Sequence, residues 1–428
     1  MQRENRLFNV NWRYLVKPEI LLFVGMVQAN LPYLLWFLGY PIIQGYHFNI
    51  TYQPLLLWIL GYAAFCLGTG YVSICLSRKV RRRGDSFPFQ IRQRVFHTLV
   101  LFTIFVVIIQ IIQACLLYGT LPIWGYLSGG YDVQTLNTAQ EVSGFGQLGS
   151  KTLMLFILNS LILIGIVSNF RAKGWDRKIL WLAIIIAVFG SLFSGKTQGF
   201  FICVCILFTG AALTGANPIN MFVKKIGFRE ISNKKTVITM ICLLLFLVLL
   251  HGFTRSIRTS NHQKFGIRDS FGSVVNYLSL PLINMENQLA ISGLSGSRSE
   301  FSGLLTGLVP YKIQSHFAQS VSPVPRLERS SPSGILSTPH WYLGLWGMLI
   351  FMFIIGAVCK YFYVKSRRSL FCLLAYSQIA WALVAAHAYN HFLYLLFIPA
   401  PLIMFFVICK IVQLKQVKIW DVSTARTL

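Results

Sequence analysis

Two closely spaced arginines are the residues of this sequence best suited to bind an anionic substrate. Arg255 and Arg258 stand three residues apart, so a helix that continues through them would carry both guanidinium groups on one face. A planar guanidinium donates two parallel hydrogen bonds and stays charged, which suits a phosphate or a pyrophosphate. We interpret the pair as an anion-binding element; the alternative is that both side chains only anchor a helix end to lipid headgroups.

Two further residues are candidates for a general base. Glu286 follows the apolar stretch Leu280 to Met285, where burial would raise its pKa towards the range that a general base needs. His340 stands beside Trp341 and Tyr342 and is the other candidate. The alternatives are a solvated acid at Glu286 and an interfacial histidine of an aromatic belt at His340.

The remaining candidate substrate contacts are cationic or aromatic. Lys196 lies in a short turn between Gly195 and Gly199, where its ammonium could meet an anionic ligand; an ordinary turn lysine is the alternative. The other candidate substrate-binding residues are Arg268, Arg298 and Tyr342. The nine cysteines all fall in apolar stretches, and no Cys/His spacing typical of a metal site occurs, so neither a metal nor another cofactor is predicted.

The composition excludes a soluble globular protein as the carrier of these residues. Of the 428 residues, 55% are hydrophobic and only 12% are charged, whereas a soluble domain is about 25% charged. Stretches of roughly 20 uncharged residues recur along the chain, as spanning helices require. The predicted fold class is therefore an all-α polytopic integral membrane protein. Ten transmembrane helices are predicted near 19–40, 54–77, 95–118, 152–170, 179–195, 198–216, 236–254, 341–364, 370–387 and 392–412.

The charge distribution predicts the topology of these helices. With the N-terminus inside, 28 of the 38 Lys and Arg residues fall in inner segments and only two in short outer segments. The other eight lie in one long outer segment, which the positive-inside rule exempts. Both termini are thus predicted to be cytoplasmic, and the net charge of +26 is a topological signal rather than a sign of nucleic-acid binding. Merging 179–216 into one long or re-entrant element would place two basic clusters outside, so ten helices are preferred.

This topology divides the chain into three parts: helices 1 to 7 in 1–251, a large outer segment in 252–340, and helices 8 to 10 in 341–428. Apolar residues between Ser270 and Leu294 suggest short amphipathic helices at the membrane interface. No Asp or Glu lies in the middle of a predicted span, which disfavours a proton-coupled transporter. Gln110, Gln113, Asn159 and Gln378 are expected to form hydrogen bonds between helices.

The sequence resembles a known family, the oligosaccharide repeat-unit polymerases of bacterial envelopes, which make O-antigen and capsule by the Wzy-dependent route. The pieces that carry the resemblance extend over most of the chain. They are Lys17-Pro18-Glu19 before span one, Phe65-Cys66-Leu67-Gly68 in span two, the turn Ser194-Gly195-Lys196, a late outer segment that begins with arginines, and Tyr342-Leu343-Gly344-Leu345-Trp346-Gly347. One departure is that Lys196 stands where the family pattern has an arginine, and a lysine lacks the bidentate fork.

The resemblance implies a GT-C-like, metal-independent membrane glycosyltransferase in the bacterial inner membrane. It would move a growing glycan from undecaprenyl pyrophosphate onto another lipid-linked repeat unit on the periplasmic side. In that role Arg255 and Arg258 would bind the pyrophosphate, Lys196 and Arg298 would assist, and Glu286 or His340 would be the base. Membrane lipids and a chain-length regulator are the other implied partners.

Three alternatives stay open at this stage. An O-antigen ligase has a similar topology and donor but transfers the glycan to a lipid A core. A lipid-linked oligosaccharide flippase or other transporter would be expected to show repeat symmetry and a polar central path. A membrane acyltransferase would need a reactive histidine or serine, and His251 is the residue that keeps this option open.

Overall fold

A computed structural model of the chain describes twelve bounded α-helices, three short 3-10 helices (Gly293–Ser295, Ala385–His387 and His391–Leu393) and the short segments next to them. The described residues are 11–38, 51–80, 89–118, 151–168, 174–192, 197–215, 217–226, 232, 235–239, 242, 267–297, 308, 334–387, 390–393 and 397–413. We number the α-helices that the structure bounds in chain order. They are α1 (Trp12–Leu15), α2 (Pro18–Phe37), α3 (Gln53–Val80), α4 (Gln93–Tyr118), α5 (Lys151–Val167), α6 (Trp175–Leu192), α7 (Thr197–Leu213), α8 (Pro218–Ile226), α9 (Ile267–Ser292), α10 (Gly334–Lys365), α11 (Leu370–Val384) and α12 (Pro399–Val412).

The chain is a helical membrane protein. Four helical stretches of the described chain are long and apolar enough to cross a membrane: Gln53–Leu76, Gln93–Gln113, Gly334–Lys365 and Leu370–His387. Leu153–Val167, Phe201–Leu213 and Pro399–Val412 are apolar but shorter. Each predicted span except 236–254 overlaps a described helix, and the span predicted at 392–412 begins seven residues before α12. The span predicted at 236–254 lies mostly outside the described residues.

One end of the bundle, which we call the Arg13 end, is held together by hydrogen bonds between helix termini. The Arg13 guanidinium donates to the carbonyls of Leu213 (3.5 Å) and Tyr363 (3.2 Å), the last residue of α7 and a residue near the end of α10. The Arg92 N–H donates to the Val412 carbonyl (2.8 Å) at the end of α12. Helices that are distant in sequence therefore end at the same level.

Helices α6 and α7 are two separate elements that run through the bundle in opposite directions. His97 Nε2, in the first turn of α4, lies 3.2 Å from Asp176 Oδ1 in the first turn of α6. Helix α6 therefore begins at the Arg13 end, and α7 ends at that same end. The pair therefore runs antiparallel, and the merged element considered for 179–216 is not one continuous helix.

Glycines bring α3 and α10 into direct backbone contact. A Cβ atom at Gly68 would overlap the carbonyl oxygen of Phe353, and a Cβ atom at Gly356 would overlap the carbonyl oxygen of Phe65. Small residues of this kind let membrane helices approach closely. The two contacts are reciprocal and fix the axial register between α3 and α10.

Polar side chains link helices in the middle of the bundle. The sequence predicted this role for Asn159 and Gln378. The Cys203 thiol of α7 donates to Asn159 Oδ1 of α5 at 2.9 Å. The Gln378 amide of α11 donates to the Phe397 carbonyl at 2.8 Å. The predicted interhelical role is confirmed for Asn159, and Gln378 joins α11 to the segment that precedes α12.

One expectation about the predicted outer segment is wrong. The region from Ser270 to Leu294 holds one helix, α9, and not several short ones; residues 281–286 of this helix are all buried and do not lie at an interface. The structure also begins α10 at Gly334, so the last residues of the predicted 252–340 segment belong to a bundle helix. Packing of α9 against α2, α3 and α10 supplies the burial that its mixed sequence pattern did not indicate.

The glycine contact yields a first prediction. Gly68→Ala should destabilise the protein by about 1–3 kcal/mol, because the new methyl group meets a backbone carbonyl that no rotamer change can move. Gly70→Ala is the matched control on the same helix, since a Cβ atom there meets nothing within 4 Å. Thermal unfolding of both variants in detergent, followed by size-exclusion chromatography, tests this. Equal melting temperatures for the two variants would contradict the contact.

Candidate functional site

Glu286 is held at the opposite end of the bundle, which we call the Glu286 end, by hydrogen bonds from Thr51. The Thr51 backbone N–H donates to Glu286 Oε1 at 2.7 Å, and its hydroxyl lies 3.0 Å from Oε1 and 2.8 Å from Oε2. The Tyr33 hydroxyl in turn donates to the Thr51 carbonyl. Glu286 thus ties α9 to the connection between α2 and α3.

Burial raises the pKa of the Glu286 carboxyl above its ordinary value of 4.5, although hydrogen bonds from Thr51 and Tyr33 act in the opposite direction. The side chain is 9% exposed, so the alternative of a freely solvated acid is wrong. A raised pKa suits a group that must accept a proton near neutral pH. Thr51 is itself exposed, and its hydroxyl separates the carboxylate from the surface.

Two more hydrogen bonds join buried polar side chains beside this carboxylate. The Ser337 hydroxyl of α10 donates to Gln288 Oε1 of α9 at 2.9 Å, and both residues are fully buried. The Asn390 amide donates to the Ile335 carbonyl at 3.1 Å. That carbonyl needs an external donor because Pro339, four residues later, has no N–H to offer it. The first turns of α10 are therefore fixed by α9 on one side and by Asn390 on another.

His340 lies one turn after Ser337 and has no solvent-exposed surface. Neither ring nitrogen has a hydrogen-bond partner within the part of the chain that the structure describes. As placed, the imidazole does not reach the surface of the described chain, and its predicted role as a base stays a prediction.

Helix α10 is broken directly after this region. Gly344 has φ +67° and ψ −169°, so Gly334–Leu343 and the remainder of α10 form two sections. The Trp341 carbonyl next to the break accepts hydrogen bonds from the Ser297 N–H (2.8 Å) and the Ser297 hydroxyl (3.1 Å). Gly296, at φ +69°, packs so closely on the backbone of His340 and Trp341 that a side chain could not fit. The chain that follows α9 is thereby attached to the break.

Tyr342 is 7% exposed and belongs to a small apolar cluster with Trp341 and Leu393. Its aromatic ring therefore packs the first section of α10 against the segment before α12. The structure shows a packing contact for Tyr342. Its predicted contact with substrate stays a prediction.

The predicted cationic site residues are only partly covered by the structure. Arg255, Arg258, Lys196 and Arg298 lie outside the described residues. The backbone of Arg268 lies in α9, eighteen residues before Glu286, which corresponds to about 27 Å along a helix axis. The predicted contact of Arg268 with substrate stays a prediction.

Sequence reasoning missed the residues that hold the site together. Thr51, Gln288, Ser337 and Asn390 show no spacing in the sequence that indicates a site. Pro339 is the one available clue, because a proline inside a helix frees the carbonyl four residues earlier and so calls for a polar partner nearby.

No family model matches the chain, and neither the curated proteins nor the solved structures contain a match. The class of helical membrane protein therefore follows from the apolar helices themselves.

The Ser337 hydrogen bond allows a test of the site's construction. Ser337→Ala should cost about 1–3 kcal/mol, because it leaves a buried acceptor of Gln288 without a donor. In the double variant with Gln288→Leu the loss should be clearly less than additive. Melting temperatures of the wild type, the two single variants and the double variant give the coupling energy between Ser337 and Gln288. Ser295→Ala, which removes an exposed hydroxyl bonded only to Ser292, is the control. Additive losses would mean that the two side chains do not interact.

A second test uses the raised pKa of Glu286. Above pH 4.5 the unfolded chain loses its proton first, so the contribution of Glu286 to stability falls as pH rises towards the higher folded pKa. Glu286→Gln cannot ionise, and its melting temperature relative to wild type should increase across this pH range. Thr51→Val removes a donor to the ionised carboxylate and should steepen the wild-type decline. A Glu286→Gln difference that is constant from pH 4 to pH 8 would refute the raised pKa.

Proposed function

We propose that the protein is a membrane glycosyltransferase that polymerises undecaprenyl-pyrophosphate-linked oligosaccharide repeat units into O-antigen or capsule. The observation that supports this most is the buried carboxyl of Glu286, set among uncharged polar side chains at one end of an otherwise apolar bundle. The segment that carries it is the predicted periplasmic segment, where this polymerisation would take place. The resemblance to repeat-unit polymerases supplies the substrate class.

The distribution of cations supports the orientation that this function needs. The described Lys and Arg side chains gather at the Arg13 end, opposite Glu286. They include Arg13, Arg92, Arg94, Arg177, Lys178, Lys224, Lys235, Lys360, Lys365, Arg368 and Lys410. By the positive-inside rule that end faces the cytoplasm of a bacterial inner membrane. The Glu286 end then faces the periplasm.

The reaction needs one base and one group that stabilises the leaving pyrophosphate. The acceptor hydroxyl loses its proton to the base as its oxygen bonds to the anomeric carbon of the donor glycan. The bond from that carbon to the pyrophosphate oxygen breaks, and its electron pair leaves with undecaprenyl pyrophosphate. Guanidinium groups stabilise the charge that develops there. Glu286 remains the candidate base, with Thr51 between its carboxylate and the surface, and Arg255 and Arg258 remain the candidate pyrophosphate ligands.

The separation along α9 bears on one of the cationic candidates. A base acts within hydrogen-bond reach of the reacting oxygen, so the pyrophosphate that leaves from the same carbon must bind close by. Arg268 is too distant for this if Glu286 is the base. Arg255, Arg258, Arg298 and Lys196 carry no such restriction.

Gel analysis of surface polysaccharide tests the proposal. A strain that lacks the gene should carry single repeat units, and the wild-type gene should restore a ladder of lengths. Arg255→Ala and Arg258→Ala, present at wild-type amounts, should abolish the ladder, because a lost transition-state contact of this type typically costs 10²–10³-fold in rate. Lys224→Ala at the Arg13 end is the control and should restore the full ladder.

Other patterns in the same gel would replace the proposal. Full-length glycan that remains on undecaprenyl pyrophosphate would indicate a ligase. A ladder that does not depend on the gene would exclude both polymerase and ligase and would favour another transporter or an acyltransferase. A full ladder from the two arginine variants would leave polymerisation in place and remove these residues from the site.

A further inference from the structure

Tyr52 is an exposed aromatic residue at the Glu286 end of the bundle, directly after Thr51. Its side chain is 70% exposed, and Thr51 is exposed as well. The two residues precede α3 and form a small surface that we call the Tyr52 patch. The hydrogen bonds from Thr51 to Glu286 place this patch next to the buried carboxylate.

Tyr33 supports the ring of Tyr52. The two rings are nearly parallel, with planes 15° apart and centroids 6.5 Å apart. Tyr33 is only 8% exposed, and its hydroxyl donates to the Thr51 carbonyl. One buried tyrosine thus contacts both members of the patch, and a surface that is fixed in advance loses less freedom when it binds a ligand.

The Thr51 hydroxyl has an acceptor position left for a ligand. A hydroxyl carries one hydrogen and two lone pairs. The hydrogen points to the Glu286 carboxylate, whose nearer oxygen lies at 2.8 Å, and one lone pair accepts from the Gln53 N–H at 3.4 Å. The second lone pair can accept from a ligand hydroxyl, which Thr51 then links to Glu286.

An aromatic ring beside a hydrogen-bond acceptor suits a sugar. One face of a pyranose ring consists of C–H groups, which leave water on contact with an aromatic ring, while the hydroxyls at its rim form hydrogen bonds. The patch does not suit an anionic headgroup, because the described Lys and Arg side chains gather at the Arg13 end. A tyrosine that only anchors the bundle at the membrane surface has no need of a buried acid beside it.

We infer that Tyr52 is a sugar-binding platform, on which one sugar ring of the acceptor oligosaccharide stacks while a sugar hydroxyl bonds to Thr51 Oγ1. The identity of this oligosaccharide as the acceptor rests on the proposed function. A repeat unit contains several sugars, so the stacked ring need not be the one that carries the reacting hydroxyl. Tyr52 contacts the substrate and sets its position relative to Glu286, but it takes no part in proton transfer.

Saturation-transfer NMR titration of the detergent-purified full chain tests the platform. The probe is the lipid-free oligosaccharide released from the strain's own surface polysaccharide by partial acid hydrolysis. Tyr52→Ala should weaken its binding about tenfold, because the stacking face is lost. Tyr52→Phe keeps the ring and should stay within about twofold of wild type. Tyr52→Leu keeps an apolar cover over Tyr33, should bind as weakly as Tyr52→Ala, and provides the test if that variant does not fold.

Trp346→Ala is the matched control. Trp346 is 76% exposed and lies two residues after the break at Gly344, so it is another exposed aromatic residue at the same end. Its loss should leave oligosaccharide binding unchanged. Equal losses in Tyr52→Ala and Trp346→Ala, an equal loss in Tyr52→Phe, or a wild type that does not bind the oligosaccharide would each overturn the platform.

The binding test and the polysaccharide gel fail separately. A ladder that depends on the gene, together with unchanged binding in Tyr52→Ala, would leave polymerisation in place and remove the platform. Weakened binding in Tyr52→Ala, together with a ladder that does not depend on the gene, would keep the sugar site and replace the polymerase by another protein that binds the same oligosaccharide.

Discussion

The structure depends on the requirement that every backbone polar group within a bilayer finds a partner inside the protein. Regular helices meet this requirement on their own, and the described bundle is built almost wholly from them. Where a helix is interrupted, another segment supplies the missing donor. Asn390 donates to the carbonyl that Pro339 leaves free, and Ser297 donates twice to the Trp341 carbonyl next to Gly344. The two repairs lie a few residues apart, and both fall at the Glu286 end.

Polar groups therefore gather at this end of the bundle for structural as well as chemical reasons. The segment after α9 is bonded to the break in α10, and α9 itself is bonded through Glu286 and Gln288. Glu286 and Gln288 thus hold α9 at two places, to Thr51 and to the first section of α10. A change at Thr51 or Ser337 loosens one of these two attachments.

Most of the helices could be predicted from the sequence, because an uninterrupted apolar stretch of about 20 residues is typical of a membrane-spanning helix. The interruptions could not. Nothing in the composition distinguishes Gly344, which breaks a helix, from Gly356, which packs one, since both are glycines within one apolar stretch. The burial of α9 was missed for a related reason. Its sequence contains an acid and several amides, and these can be buried only because other parts of the chain supply their hydrogen-bond partners. Glu286 was found as a candidate from its apolar neighbours alone, whereas its tie to Thr51 joins residues 235 positions apart.

The paired glycine contacts between α3 and α10 set a limit on how the length of this chain can vary in evolution. Gly356 fixes one point of α10 against α3, while Ser337, on the other side of the break, must face Gln288. One residue inserted between Gly344 and Gly356 would turn the two points by about 100° relative to each other and shift them by about 1.5 Å. The stretch from Gly344 to Gly356 should therefore keep a constant number of residues among relatives of this protein, even where the connections between its helices differ in length.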